Sequence, residues 1–228
     1  MKKLFTAIRQ GKLDEVIRMI EKKPELVHCV SGTLPKKDHG QSPLQVALKT
    51  GKYEIADYLI EHGADINFME AADEDPGLRA PVLFDAISAA IVSLCYERFD
   101  EAETAFGYVK KLAERGADVN KLASNGCDAI NWSLIQAELL FERASVYPQS
   151  QKAVRKQLTR ILDVLIAHGA DYNAWAHRGH FPEPYPGPSN QSMYIDAFVP
   201  HDDIKIDRNK ELRAFMQAFF KSRNIKLS

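Results

Sequence analysis

The chain has 228 residues, of which 45% are apolar and 27% charged, and its formal net charge is −1. This composition excludes a disordered tail, and an odd count of three cysteines excludes a small domain held by paired disulfides. With 30 basic against 31 acidic residues, the chain has no overall field that would attract nucleic acid or an anionic membrane.

The N-terminus does not predict export. Polar residues from Arg9 to Lys12 interrupt the short apolar run after Lys3, whereas a signal sequence needs roughly 7–15 apolar residues. No window reaches the roughly 18–20 apolar residues of a membrane span. The cysteines are scattered, without a Cys-x-x-Cys pair, which favours a reducing compartment. We therefore expect a cytoplasmic protein.

The first two helices are predicted in residues 4–20. Leu4, Phe5 and Ile8 share one helical face, Gly11 follows them, and Val16 and Ile20 recur at helical spacing. Residues 1–37 hold nine Lys or Arg and four acidic residues, so this segment is basic within a nearly neutral chain.

The next helix has clear start and stop signals. Ser42 is a typical N-cap, and Pro43 follows at the first helical position, where its missing N–H costs nothing. Leu44 and Leu48 then lie on one face, and Gly51 is the predicted stop.

Three nearly identical segments occupy residues 62–67, 115–120 and 168–173, each containing Gly-Ala-Asp-x-Asn, and their glycines are 53 residues apart. Each segment follows an amphipathic stretch. A glycine at this point ends a helix, because it enters the left-handed region without a Cβ penalty. The Asp and Asn that follow favour a turn.

Residues 40–67 resemble an ankyrin repeat from end to end. The resemblance is carried by Gly-x-Ser-Pro-Leu-x-x-Ala at 40–47, then Gly51, then Leu59-Ile60, then Gly-Ala-Asp-Ile-Asn at 63–67. Ser42 stands where the family has threonine, and Gln45 stands where it has histidine. The resemblance implies an all-α solenoid of about four helix-turn-helix repeats, at about 1–37, 38–69, 80–122 and 123–176.

The 53-residue period exceeds the ordinary repeat of about 33 residues. Residues 83–98 contain no Gly or Pro, and Asp100 is predicted to cap a second helix that runs to Arg115. Residues 129–146 are unbroken before Pro148, and a helix from 149–150 is predicted to reach His168. We therefore predict that both helices of the last two repeats are lengthened by two to three turns, and that residues 88–106 are not an irregular loop.

Residues 177–228 depart from the repeat pattern. Five prolines between 182 and 200 exclude a helix there, and the aromatic residues among them predict an extended segment laid on the repeats. Asp207 is predicted to cap a final helix that covers the end of the solenoid, although a partner-binding helix is the alternative. The apolar stripe of this helix comprises Leu212, Phe215, Met216, Phe219 and Phe220.

No pattern predicts catalysis, a cofactor or a metal. His62 and His168 occupy equivalent repeat positions, which indicates a structural role. The sequence has no phosphate loop, no Gly-x-Ser-x-Gly and no His-Glu-x-x-His. The alternative is an enzyme or metal-binding protein with an unrecognised site near His177, His180 and His201.

The partner-binding surface implied by the resemblance is the turn tips and the exposed side of each first helix. The residue two after each Gly-Ala-Asp-x-Asn is apolar: Met69, Leu122 and Trp175. Such residues indicate an interface if they are exposed; the rival interpretation is that the Pro-aromatic tail covers them. Neighbouring candidates on the same face are His39, Gln41, Lys49, Thr50, Asn125 and Gln136.

An acidic segment in the turn between the second and third repeats is a further candidate. It contains Glu70, Asp73, Glu74 and Asp75, and no base. The acidic segment is either a solvated loop or an acidic tip that contacts a basic partner. The sequence as a whole predicts a non-catalytic protein–protein interaction module, monomeric when free, with an inhibitor or immunity-type protein as one concrete form.

Overall fold

A computed structural model describes residues 1–32, 38–70, 78–142, 148–172 and 210–225. Within these ranges the chain forms α-helices, one short 3-10 helix (Pro24–His28) and an isolated antiparallel bridge between Met69 and Pro81. The predicted all-α repeat fold is confirmed. The helices are α1 Lys2–Gln10, α2 Leu13–Lys22, α3 Pro43–Lys49, α4 Tyr53–Glu61, α5 Val82–Cys95, α6 Phe99–Glu114, α7 Ala129–Glu142, α8 Pro148–Ala167 and α9 Lys210–Ser222.

The first eight helices form two layers. The inner helices α1, α3, α5 and α7 contact one another in that order, and each packs on the outer helix that follows it. In the outer layer α2 contacts α4, and α6 contacts α8. The outer helices α4 and α6 are joined by Tyr108, whose hydroxyl donates to the Tyr53 carbonyl at 2.8 Å. The core lies between the two layers, so each pair buries its apolar faces against its neighbours.

The start of α3 follows the sequence prediction. The Ser42 hydroxyl accepts a hydrogen bond from the Gln45 backbone N–H at 3.2 Å, and the Gln45 side-chain oxygen accepts one from the Ser42 N–H at 3.1 Å. This capping box satisfies two N–H groups that would otherwise have no partner in the helix. Pro43 occupies the first helical position, as predicted.

Both helices of the third pair are lengthened. The helices α3 and α4 have 7 and 9 residues, whereas α5 and α6 have 14 and 16. At 1.5 Å per residue, α5 exceeds α3 by about 10 Å. Residues 88–106 are helical apart from the turn between α5 and α6, so an irregular loop is excluded there. The fourth pair has 14 and 20 residues.

Two predicted helix starts are shifted. The N-cap of α6 is Arg98, and Asp100 lies in the first turn, where its carboxylate interacts favourably with the helix dipole. The prediction that Asp100 is the cap is therefore wrong. Helix α8 starts at Pro148, one residue before the predicted start, because proline suits the first helical position.

The Gly-Ala-Asp-x-Asn turns are tied together by asparagine side chains. Asn67 donates from Nδ2 to the Gly116 carbonyl at 3.2 Å, and its Oδ1 accepts from the Asp118 N–H at 2.7 Å. Asn120 makes the same two bonds one turn later, to the Gly169 carbonyl at 2.9 Å and from the Asp171 N–H at 2.8 Å. The 53-residue period therefore corresponds to a fixed register between successive turns.

Replacing Asn67 or Asn120 with Ala should lower the free energy of unfolding by about 1–2 kcal/mol each, because two hydrogen bonds are lost at partly exposed sites. Urea denaturation of the full chain measures the loss. Lys110 is an exposed residue of α6, and Lys110→Ala should change the free energy of unfolding by much less. Equal effects of Lys110→Ala and Asn67→Ala would contradict a specific role for the asparagine bonds.

Ion pairs join neighbouring outer helices. Lys111 pairs with Asp57 at 2.5 Å, and Arg160 pairs with Glu103 at 2.5 Å. The Arg160 guanidinium also lies 3.8 Å from the centroid of the Phe106 ring. Hydrogen bonds from Arg160 lower the pKa of Glu103. Exposed pairs of this kind contribute little stability individually; here they join α6 to α4 on one side and to α8 on the other.

The final helix α9 packs on α7. Four residues of its predicted apolar stripe are buried, namely Leu212, Met216, Phe219 and Phe220. The Phe220 ring contacts the ring of Tyr172. The Pro-aromatic segment, residues 177–200, and the predicted cap Asp207 lie outside the described residues.

The two histidines at equivalent repeat positions perform the same local task. In each of His62 and His168 the ring Nδ1 bonds to the carbonyl four residues earlier, at 2.7 and 2.8 Å. Each of these carbonyls also accepts the backbone N–H of the same histidine, at 3.1 and 3.2 Å, so the two rings add a second bond at the ends of α4 and α8. The predicted structural role of both histidines is confirmed.

In the described part of the chain, no helix combines the length and the apolar character that a membrane crossing demands.

Candidate functional site: the finger face

The connections from an outer helix to the next inner helix form three fingers. We name residues 29–42 finger 1, residues 68–81 finger 2 and residues 121–128 finger 3. Finger 1 is closed by the Ser31 N–H bond to the Gln41 carbonyl at 2.9 Å, and finger 2 by the Val82 N–H bond to the Phe68 carbonyl at 3.1 Å. In finger 3 the Ala123 N–H donates to the Cys127 carbonyl at 2.9 Å. The described parts of the fingers are therefore fixed by their own backbone bonds.

Fingers 2 and 3 are joined to each other. The Ser124 N–H donates to the Arg79 carbonyl at 2.9 Å, and the Arg79 N–H donates to the Ser124 hydroxyl at 3.0 Å. Lys121 reaches across to the Asn67 carbonyl. These bonds hold the segments around Leu78 and Leu122 side by side.

In the described residues, each finger carries one large aliphatic side chain that is exposed. Val30 of finger 1 is 37% exposed, Leu78 of finger 2 is 41% exposed and Leu122 of finger 3 is 39% exposed. We call these three residues the aliphatic row. Leu78 and Leu122 lie in the two segments that the Arg79–Ser124 bonds join, and neighbouring exposed apolar side chains are a feature of interaction surfaces.

The predicted apolar positions are only partly reproduced. Leu122 is exposed, as an interface requires. Met69 is half-buried and lies in the bridge to Pro81, and Trp175 lies outside the described residues. Val30 and Leu78 were missed by sequence reasoning, because fingers 1 and 2 do not share the residue spacing of finger 3.

Glu70 is a buried structural residue. Its side chain is 8% exposed. The Oε1 atom accepts from Gln41 at 3.3 Å and from Gln45 at 3.2 Å, and Oε2 accepts from the Ala80 N–H at 2.8 Å. The expectation that Glu70 belongs to an exposed acidic tip is therefore wrong, and its carboxylate fastens finger 2 to α3. Asp73, Glu74 and Asp75 lie outside the described residues.

The other predicted face residues differ in what their side chains do. Gln41 is buried, while Lys49 is exposed and donates to the Gln41 Oε1 atom at 3.2 Å. Thr50 donates to the Val46 carbonyl at 2.7 Å and so serves the end of α3. The Asn125 Oδ1 atom accepts from the Cys127 N–H at 3.1 Å inside finger 3. His39 and Gln136 are half-buried.

A second carboxyl lies behind finger 2. Asp85 of α5 has a buried Oδ2 atom that accepts no hydrogen bond from the described residues. Burial raises the pKa of Asp85 well above its ordinary value, and the nearby Glu70 charge raises it further, while Lys49 and a hydrogen bond from Gln45 act in the opposite direction. The two acids thus have different surroundings: Glu70 is fully hydrogen-bonded and Asp85 is not.

Groups that could hold a metal or act as nucleophiles are sparse in the described residues. No cluster of three His, Cys, Asp or Glu side chains occurs there. The three cysteines are not joined by disulfides, and burial raises the pKa of the Cys29 thiol. His177, His180 and His201 lie outside the described residues. The described residues of the finger face present aliphatic and polar side chains.

Comparison with known families gives a match to part of the chain. Residues 2–70 match the family model described as ankyrin repeats (3 copies). The match covers α1 to α4 and fingers 1 and 2 up to Glu70. No curated protein matches the chain. Ankyrin repeats are generally protein–protein interaction modules.

Proposed function

We propose, for a chain whose residues 2–70 match the ankyrin repeat family, that the finger face binds a protein partner. The observation that carries this proposal is the aliphatic row, which places one exposed apolar side chain on each of three fingers. The fingers and the exposed side of the inner helices together form the proposed contact surface.

The hydrogen bonds that hold the described parts of the fingers support tight binding. Backbone hydrogen bonds close each finger, and Arg79 and Ser124 link two of them. Binding to a preformed surface loses little conformational entropy, so more of the interaction energy appears as affinity. A flexible loop with the same side chains would lose part of that energy on ordering.

The polar residues around the aliphatic row suit the rim of an interface. Interfaces combine an apolar centre with a polar, accessible edge. Lys49 is exposed on α3, and His39, Asn125 and Gln136 are half-buried. We infer that these four residues form the rim. Met69, Trp175 and the acidic Asp73, Glu74 and Asp75 remain proposed contacts at the tips.

We infer a dedicated partner in preference to a general scaffold role, and an inhibitor or immunity-type protein is the concrete form we propose. The unequal helix pairs support this, because two short and two long pairs make a surface of one particular shape. The partner is proposed to meet the aliphatic row with an apolar patch of its own.

The proposal is tested with the double variant Leu78→Ser, Leu122→Ser. Both side chains are exposed, so the melting temperature should stay close to that of the wild type, with a stability change of about 0.5 kcal/mol or less. Capture of the native partner from the source cells should fall at least about tenfold, as expected for the loss of central apolar contacts. Cross-linking followed by mass spectrometry identifies the captured protein and its contact site.

A matched control is available at the opposite edge of the repeats. Tyr96 is 69% exposed in the turn between α5 and α6, far from the fingers along the helix axis. Tyr96→Ser should leave capture unchanged. Equal loss in Tyr96→Ser, or retained capture in the double variant, would contradict binding through the finger face.

A further inference from the structure

Asp85 stands at an unusual place for an acid. It is the fourth residue of α5, as Val46 is of α3 and Trp132 is of α7. Val46 is fully buried, and the Trp132 indole donates back to the Phe84 carbonyl and the Ser88 hydroxyl of the preceding inner helix, at 3.2 and 2.8 Å. The fourth position therefore faces the preceding inner helix. Among the three helices α3, α5 and α7, only α5 has an acidic residue at this position.

The neighbours of Asp85 come from α3 and finger 2. Gln45 and Lys49 lie on α3, and Glu70 lies in finger 2. Glu70 uses its oxygens for Gln41, Gln45 and the Ala80 N–H, so its negative charge is stabilised in place. A second negative charge on Asp85 would be close to the first, with Oδ2 buried and without a donor among the described residues. Ionising Asp85 in this position is therefore costly.

We propose that the contact between α3 and α5 depends on a proton on Asp85. With the carboxyl neutral, α5 packs on α3 with Oδ2 inside the contact. Once it is ionised, Oδ2 must gain water or another donor, and water enters when α5 moves away from α3. Finger 2 moves with them, because Glu70 bonds to both α3 and Ala80. The proposal does not depend on partner binding.

The direction of the pH dependence follows from linkage. Burial raises the pKa of Asp85 in the folded chain, so the folded state keeps a proton that the unfolded chain releases above its ordinary value of 3.8. Stability is therefore lost as pH rises from that value through the folded pKa. The lowered pKa of Glu103 acts oppositely, since its contribution is lost only as pH falls below its ordinary value of 4.5. Measurements above about pH 5.5 thus separate the Asp85 effect from that of Glu103.

The experiment compares urea midpoints of the full chain at increasing pH. For the wild type the midpoint should fall relative to Asp85→Asn, which cannot ionise, and the gap should widen with pH. Every other titratable group is common to the two proteins, so its contribution cancels in the difference. Glu61→Gln, an exposed acid of α4, should follow the wild type. A constant gap between Asp85→Asn and the wild type would overturn the proposal.

A second measurement on the wild type keeps the test independent of how well a variant folds. At about pH 5.5, where ordinary carboxyl groups are ionised, the infrared spectrum of the folded chain should contain a protonated carboxyl band, which vanishes when urea unfolds the protein at the same pH. Hydrogen exchange, corrected for its chemical pH dependence, should accelerate with pH in α3 and α5 more than in α1 and α2. Absence of the band, or uniform acceleration, would overturn the proposal.

Discussion

Replacing Phe84 with Ala is expected to lower the free energy of unfolding by about 3–5 kcal/mol, the largest single effect predicted for this chain. Phe84 is fully buried in α5, and its ring centroid lies 5.3 Å from that of Trp132. Helix α5 contacts α3, α6, α7 and α8, so neighbours on several sides prevent collapse into the cavity. The loss is measured by urea denaturation at equilibrium.

A matched phenylalanine provides the control. Phe99 begins α6 and is 47% exposed, so Phe99→Ala should change stability by about 0.5 kcal/mol or less. If both truncations cost the same, or if Phe84→Ala cost less than about 1 kcal/mol, the packing of α5 between its neighbours would be contradicted.

Phe220→Ala is expected to cost about 3 kcal/mol, and the loss should be local. Phe220 of α9 is buried, and α9 contacts α7. In a stack each unit contacts only its neighbours, so a loss at one end propagates weakly to the other. Hydrogen exchange should therefore accelerate in α7, α8 and α9 and stay unchanged in α1 to α4.

Lys221 lies beside Phe220 on the same helix and is exposed, so Lys221→Ala controls for the effect of a substitution in α9 as such. It should leave exchange unchanged throughout. Uniform acceleration in Phe220→Ala would mean that the helices unfold as one cooperative unit, against the expectation for a stack.

Elements set by local chemistry were predictable from the sequence. Ser42 and Pro43 mark the start of α3 because capping involves only the next three residues. Lengthened helices followed from two unbroken helix-compatible runs between fixed repeat signals. The start of α6 was harder to predict. Glu97 adopts φ +57 in the turn after α5, so the chain enters α6 at Phe99 before it reaches the better capping residue Asp100.

The candidate site was only partly predictable because it depends on distant contacts. Leu122 could be predicted as a site residue from its place in the repeat. Glu70 was interpreted together with the acids that follow it, yet its burial depends on Gln41 and Gln45, separated from it by 29 and 25 positions. Asp85 looks like an ordinary polar residue of a helix, and its unusual setting emerges only when α3 is packed against it.

The asparagine bonds between turns have a consequence for how such a chain can vary. They set the spacing at the edge that carries the fingers, whereas added helical length emerges at the far edge, around Tyr96. The length of the helices and the alignment of the fingers can therefore vary independently. A pair of helices can gain matching turns at the far edge while the fingers beside it keep their alignment. A stack of this kind can change at the edge around Tyr96 without a change in the finger face.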